Sequence, residues 1–369
     1  MEFRLAAFYF LFFAYAGGYV AYFPLYLASR DLTAVQIAGV LALPAIARII
    51  VPTAWGSIAD RTGAHRAIVA ASCAATAAGF ALIPFTERIA WVIGLMSLLS
   101  AGALPLVEAI TLGALARHVG RYGPIRVWGS VGFIAVVLGG GAWLDRQPIS
   151  TLPWVLVFFM LATLVAALAL PRGQVHAGAQ PASLRMTPEI GALLGAGFCN
   201  AVAHGALYAF LSLHLTREGY SGTTIGMLWT LGVAAEIVVF LYLPHLFRRY
   251  ALSTLLVASL GCGVLRFAAI GWAAGELWIV LMAQLLHAAT FGAFHAAAVA
   301  AVHRVFPEAA QARGQALFSS VSYGAGAAAG LLLAGWAWER GGAQLAFSAS
   351  AAAALAGAFI AGRLKRARL

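Results

Sequence analysis

About twelve times along this chain an apolar stretch of roughly 20 residues gives way to a short polar or basic one, the length that spans a hydrocarbon core of ~30 Å. The stretches run over residues 5–28, 34–55, 67–85, 89–115, 127–144 and 152–170, then 190–215, 223–243, 253–273, 277–302, 315–337 and 343–362. Lipid offers no hydrogen-bond partners to a backbone, so each must satisfy its own N–H and C=O groups and is expected to be helical. Composition agrees: 63% of the residues are hydrophobic and 9% charged, too little polar surface to coat globular domains of this size. The predicted class is an all-α integral membrane protein of about twelve transmembrane helices.

The net charge of +11 does not describe a nucleic-acid surface, because the arginines stand singly or in pairs between apolar runs. Their distribution reads as topology. Arg4, Arg61, Arg66, Arg117, Arg121, Arg126, Arg172, Arg185, Arg248, Arg249, Arg304 and Arg313, with the basic C-terminus from Arg363 on, fall on one side, whereas Arg30, Arg88, Arg146, Arg217 and Arg340 fall on the other. The positive-inside rule then places both termini in the cytoplasm, in a membrane of the bacterial inner type. Ala14-Tyr15-Ala16 has the look of a cleavage site, but the apolar run continues through Leu27, which reads as a retained first span.

Pro171 to Pro188 is the longest polar stretch and is expected to be a cytoplasmic linker, 171–188, between six-helix bundles at 1–170 and 189–369. The bundles look like repeats. Gly56-Ser57-Ile58-Ala59-Asp60-Arg61-Thr62-Gly63 follows the second run, and the worn Leu243-Pro244-His245-Leu246-Phe247-Arg248-Arg249-Tyr250 follows the eighth. The fifth run ends in Asp145-Arg146 and the eleventh in Glu339-Arg340. Such repeats suit a carrier with a site near the bilayer midplane, able to work as a monomer.

Ionisable residues inside apolar runs are costly and mark function: Arg48, Glu108, Glu236 and Arg266, beside His204, His287 and His295. Tyr15, Tyr19, Tyr22 and Tyr26 form a narrow stripe on the first run, whose hydroxyls need partners away from lipid. Asn200, His204 and Tyr208 stripe the seventh, and Gln284, His287, Phe291 and His295 the tenth. Catalytic patterns are missing: the sequence has no G-x-S-x-G, no H-E-x-x-H and no phosphate-binding G-x-x-x-x-G-K-[ST]. His287 and His295 stand too far apart on one helix to share a metal, and Cys73, Cys199 and Cys262 read as packing residues. No enzyme activity, metal, cofactor or nucleic acid is expected.

Gly56, Asp60, Arg61, Gly63 and Arg66 resemble the signature loop between the second and third helices of the major facilitator superfamily. The resemblance implies a carrier fold in which the first, fourth, seventh and tenth helices line a cavity, and in which Asp60 caps a helix or pairs with an arginine at the cytoplasmic gate. Arg121-Tyr122-Gly123-Pro124-Ile125-Arg126-Val127-Trp128-Gly129-Ser130-Val131-Gly132-Phe133 resembles the phenylpropionate transporter family and, more distantly, lactose permease. By that resemblance Glu108, Arg126 and Phe133 contact substrate, and Glu236, Arg266 and His287 couple transport to protons. The stripes and the ionisable residues of the apolar runs add Tyr15, Tyr19, Tyr22, Arg48, Asn200, His204, Tyr208, Gln284 and Phe291 as expected substrate contacts and His295 to the coupling group. Lactose permease's proton-carrying Glu is Thr290 in this chain, which leaves the proton to Glu236, His287 or Glu108. The implied activity is proton-coupled symport of a small organic solute, an aromatic carboxylate before a sugar or nucleoside. A proton-driven exporter and a non-transporting receptor are the alternatives.

Overall fold

A computed structural model describes residues 1–115, 118–171 and 186–364. The expected linker lies mostly outside them, as do Arg117 and the basic C-terminal residues 365–369. Among the described residues eleven helices are long and apolar enough to cross a membrane. They are α1 (Glu2–Ser29), α2 (Ala34–Thr62), α3 (His65–Phe85), α4 (Ile89–Leu115), α5 (Tyr122–Leu144), α6 (Ile149–Leu168), α7 (Pro188–Arg217), α8 (Gly222–Arg249), α9 (Leu252–Ala273), α10 (Leu277–Val305) and α11 (Gln311–Gly362). The last is two helices joined at Gly341 and Gly342, whose backbone is non-helical, one helix for each of the last two apolar runs.

Several helices are interrupted, and in two the cause is visible. In α2 the helix lapses at Arg48–Ile50 and restarts at Val51. Pro52 has no N–H to give the carbonyl of Arg48, and its ring crowds that carbonyl, so the break falls where the sequence puts the proline. In α7 the helix breaks at His204, whose Nδ1 lies 2.8 Å from the Asn200 carbonyl. Single π-helical turns interrupt α10 at Ala288–Ala293 and α11 at Ser320–Gly326. A π-turn inserts a residue into the helical ladder and re-aims the side chains beyond it.

The chain divides into two compact units. The first comprises Met1–Asp31, Ile46–Gln180 and Ser221–Gly226; the second comprises Leu32–Ala45, Pro181–Tyr220 and Met227–Leu369. Each has its own apolar core. Leu5, Phe8, Val69, Val107 and Met160 are among the buried residues of the first, where α1 packs on α5 and α6 and α3 packs on α6. Leu193, Leu256, Phe294, Ala297 and Phe318 belong to that of the second, where α11 packs on α7 and α9. Large apolar side chains are also exposed, among them Trp91, Val165, Leu241, Leu265 and Phe359. Patches of this kind are untenable in water and are the surface that faces acyl chains in a bilayer protein.

Inside the first unit, Asp145 at the end of α5 caps the first turn of α8. Its carboxylate accepts from the Gly222 amide at 2.6 Å, from the Thr223 amide at 2.9 Å and from the Thr223 hydroxyl. The second unit repeats the device: Glu339, in α11 just before its kink, accepts from the Val35 amide in the first turn of α2 at 3.3 Å. An anionic side chain satisfies otherwise unbonded N–H groups there and complements the positive end of the helix dipole. The Thr223 hydroxyl, then the amides of Thr223 and Gly222 and the charge of Arg146, hold the Asp145 carboxyl below its ordinary range. A depressed folded-state pKa stabilises the fold above the unfolded value and is lost as pH falls through the folded one. Asp145 is exposed, so Asp145→Ala is expected to cost about 1 kcal/mol or less. Thermal melting of both proteins should show the wild-type advantage at neutral pH and its disappearance as pH falls below about 4.

Candidate functional site

Of the ionisable residues of the apolar runs, His204, Glu236, Arg266 and His287 come together in the second unit, and Glu108 meets Arg126 in the first. In the second unit, α9 brings in Arg266, which is 1% exposed. Its Nη1 donates to Thr290 Oγ1 and its Nη2 to Gln284 Oε1, each at 2.9 Å. Both acceptors are held in place. The Gln284 amide nitrogen donates to the Leu228 carbonyl at 3.1 Å, and the Thr290 hydroxyl reaches the His287 carbonyl at 3.4 Å.

His287 itself turns toward α8, with Nε2 3.6 Å from Glu236 Oε2. A carboxylate beside an imidazole can hold one proton between them, and each stabilises the other's charged form. Aromatic rings surround the pair. Phe291 stacks on His287 at 5.3 Å and meets His204 at 6.2 Å, while Tyr208 lies 6.0 Å from His204 and 6.5 Å from Trp229. The π-turn of α10 runs through Thr290 and Phe291. Asn200 is buried one turn before His204 and contributes its carbonyl, as above. His295 sits beyond the π-turn and bonds elsewhere, its Nδ1 2.6 Å from the Tyr323 hydroxyl in the π-turn of α11.

In the first unit, Arg126 Nε lies 3.9 Å from Glu108 Oε1, bringing together the two residues suggested by the permease resemblance. The guanidinium also covers the rings of Phe13, at 4.2 Å, and Tyr9, at 5.2 Å. Tyr9 is pinned in turn by Thr111, at 3.2 Å. Phe133 is half-buried further along α5 and makes no ring contact among the described residues. The tyrosine stripe of α1 splits three ways. Tyr15 and Tyr19 stack on one another at 6.0 Å and share Phe80, whereas Tyr22 donates to the Val137 carbonyl of α5. Tyr26 accepts from Arg30 at 2.9 Å. Arg48 is exposed at the break in α2.

The signature loop adopts a tight turn. Gly63 has φ 68°, a left-handed conformation that a side chain would strain, whereas a Cβ at Gly56 would meet nothing within 4 Å. Asp60 Oδ1 is 3.1 Å from His65 Nε2, so it meets the histidine that opens α3 rather than an arginine. The cap position of α3 is Ala64, which has no side-chain cap, and Arg66 reaches the Leu170 carbonyl at 3.4 Å. Arg61 is exposed on the last turn before Gly63.

Two residues at the second cluster carried no signal strong enough to single them out by sequence. Trp229 donates to Ser212 Oγ at 2.9 Å and supports Tyr208, and Tyr323 receives His295. A lone polar aromatic within a run of small or apolar residues was the available hint in both cases.

The arrangement has the parts of a carrier, and comparison with known proteins agrees. The MFS_1-like family description matches residues 2–349. The chain is 27% identical over 267 residues to a probable 3-phenylpropionic acid transporter of Escherichia coli (strain K12), covering 68% of this chain and 69% of that one. It is 26% identical over 345 residues to the maltose permease of Geobacillus stearothermophilus, covering 90% and 86%. Among solved structures, the nucleoside transporter NupG superposes with a TM-score of 0.83 over 99% of both chains at 18% identity, which establishes the fold. With its family match spanning nearly its whole length and its fold shared with a solved carrier, this chain belongs to the MFS_1-like family of the major facilitator fold and is a multi-pass membrane transporter of small solutes, not an enzyme.

Proposed function

We propose that this transporter is a proton-coupled symporter of a small aromatic carboxylate of the 3-phenylpropionate class, working as a monomer by alternating access. The observation that carries the reading is the Glu236–His287 pair, a proton-holding group 3.6 Å across, set among the rings of Phe291, Tyr208 and Trp229 and beside a fixed cation. A proton on that pair and an anion nearby favour each other's presence, so the loaded state is the one carrying both. The relative described as a 3-phenylpropionic acid transporter supports the substrate class. Glu108 with Arg126, and the tyrosines of α1, are the complementary substrate contacts, and Asp60 with His65 serves the cytoplasmic gate. The basic loops favour an inner-membrane orientation with both termini in the cytoplasm.

The test is the initial rate of radiolabelled 3-phenylpropionate uptake into proteoliposomes, with protein-free vesicles as the reference because the neutral acid crosses bilayers unaided. Protein-dependent uptake is expected to rise several-fold when the outside is made acidic and to fall when a protonophore is added. Protein-dependent rates that respond to the substrate gradient alone would leave a uniporter. Loss of preloaded substrate against its gradient as protons enter would favour the exporter.

A further inference from the structure

Three arginines in this chain could meet a carboxylate, and their surroundings differ in kind. Arg126 already has an ion-pair partner in Glu108 and lies on two rings. Arg48 is exposed at a helix break. Arg266 is buried, and the side chains that hold it, Thr290 and Gln284, are neutral. Among the described residues no carboxylate lies within ion-pair distance of its guanidinium, since Glu236 pairs with His287 instead. An arginine has five N–H donors, and Arg266 Nε finds no acceptor.

Two further buried atoms of the same cluster are also unpartnered. His204 Nδ1 serves the Asn200 carbonyl, leaving Nε2 alone; His287 faces Glu236 through Nε2, leaving Nδ1 alone. Buried polar atoms in native proteins almost always have partners, so three orphans around one guanidinium point to a missing polar group rather than to packing. The imidazoles of His204 and His287 lie 6.4 Å apart, with Phe291 against both and Phe267 beside the guanidinium. Of the three, Arg266 Nε–H is a donor that lacks an acceptor, whereas the ring nitrogens left over on neutral His204 and His287 are lone-pair acceptors, so it is the guanidinium that calls for an anion. A proton on the Glu236–His287 pair makes His287 Nδ1 a second donor, and Phe291 and Phe267 suit an aromatic body beside it.

Charge decides when the anion enters. The groups that can charge at this place are Arg266, Glu236, His287, His204 and Tyr208, with His295, which is stacked on the far side of Phe291, and its partner Tyr323 next to them. With Glu236 ionised and both imidazoles neutral, the cluster is neutral overall. One proton on the Glu236–His287 pair leaves a net positive charge inside the membrane-spanning region, where an uncompensated charge is costly. One monoanion restores neutrality.

Resting on the symport reading above, we propose that Arg266 is the anion-binding residue, receiving the substrate carboxylate at its unpartnered Nε face once the Glu236–His287 pair has taken a proton, so that one proton and one monoanion bind as a neutral unit. No covalent bond is made or broken; the proton comes from bulk water and leaves with the anion. Thr290 and Gln284 are positioning residues that hold the guanidinium without neutralising it. Neutral acceptors at these two places keep the cation available.

The test compares ligand-induced thermal shifts of the purified full-length protein at pH 6 with 3-phenylpropionate and with 3-phenylpropanamide, its uncharged isostere. The wild type is expected to bind the acid and to lose about 30-fold or more with the amide, as for removal of one partner of a buried charge pair. Thr290→Glu supplies a resident carboxylate to Arg266 and is expected to lose acid affinity by a similar factor. Its ligand-free melting temperature should lie above that of Thr290→Gln, which adds the same bulk without the charge. Arg266→Lys should recover part of the acid affinity that Arg266→Gln lacks. Equal binding of acid and amide, or unchanged acid affinity in Thr290→Glu, overturns the proposal. If the wild type binds neither compound, the ligand-free variants still decide: Thr290→Glu melting at or below Thr290→Gln shows that Arg266 was not awaiting a counter-ion. Selective acid binding without any dependence of uptake on a pH gradient would sink the symport reading and leave the Arg266 assignment standing.

Discussion

Glu236→Gln is expected to abolish the response of protein-dependent uptake to an imposed pH gradient while sparing exchange of labelled for unlabelled substrate. A gradient of one pH unit is worth about 1.4 kcal/mol per proton, which sets a roughly tenfold ceiling on accumulation by one-to-one symport. The unaided acid approaches the same ceiling slowly, so the readout is the protein-dependent initial rate. Gln cannot take a proton from the medium, and in the variant that rate should no longer rise when the gradient is imposed. Exchange runs through the loaded states and does not require the empty carrier to lose its proton, so it should persist at a comparable rate. The amide also keeps the shape and half of the hydrogen-bonding capacity toward His287 Nε2, which limits structural damage. Loss of both activities would mean that Glu236 holds substrate or the fold; retention of both would move the proton to His287 or Glu108.

Gly205→Ala is expected to lower thermal stability by more than any other single methyl discussed for this chain. A Cβ at position 205 would fall 2.2 Å from the carbonyl carbon and oxygen of Gly330, and one at Gly330 would fall 2.6 Å from the Val202 carbonyl oxygen. The backbones of α7 and α11 therefore touch, in the way small residues allow between membrane helices. The obstruction is backbone, which cannot swing aside as a long side chain would. Overpacking of this kind costs about 1–3 kcal/mol and sometimes more, so melting of the detergent-solubilised protein should drop by several degrees. A Cβ at Gly113 would meet nothing within 4 Å, and Gly113→Ala should be neutral or stabilising by helix propensity of about 1 kcal/mol at most. Equal melting temperatures for the two variants would refute the close contact.

Much of the architecture was legible because lipid removes choices. A run such as 67–85 or 253–273 has to be a helix, and its length has to match the hydrocarbon thickness. The positions of Arg48 and Glu108 inside such runs were conspicuous for the same reason. Less legible was how the helices are interrupted. A constant 100° per residue puts Gln284, His287, Phe291 and His295 on one stripe, but the π-turn at Ala288–Ala293 adds a residue to that helix. His295 consequently bonds Tyr323, while His287 meets Glu236. The α1 tyrosines likewise share a stripe in sequence but divide among partners on different elements.

The sequence by itself determined that this chain is a helical membrane carrier and singled out the few charges inside its apolar runs, since hydrocarbon penalises every unpaired polar group and so leaves the permitted ones visible in one dimension. Which charges meet was decided by tertiary structure alone. Arg266 faces neutral Thr290 and Gln284 rather than Glu236, and Asp60 meets His65 rather than an arginine, because ion pairing acts over a few ångströms set by helix breaks, π-turns and close crossings whose combined geometry no residue spacing encodes.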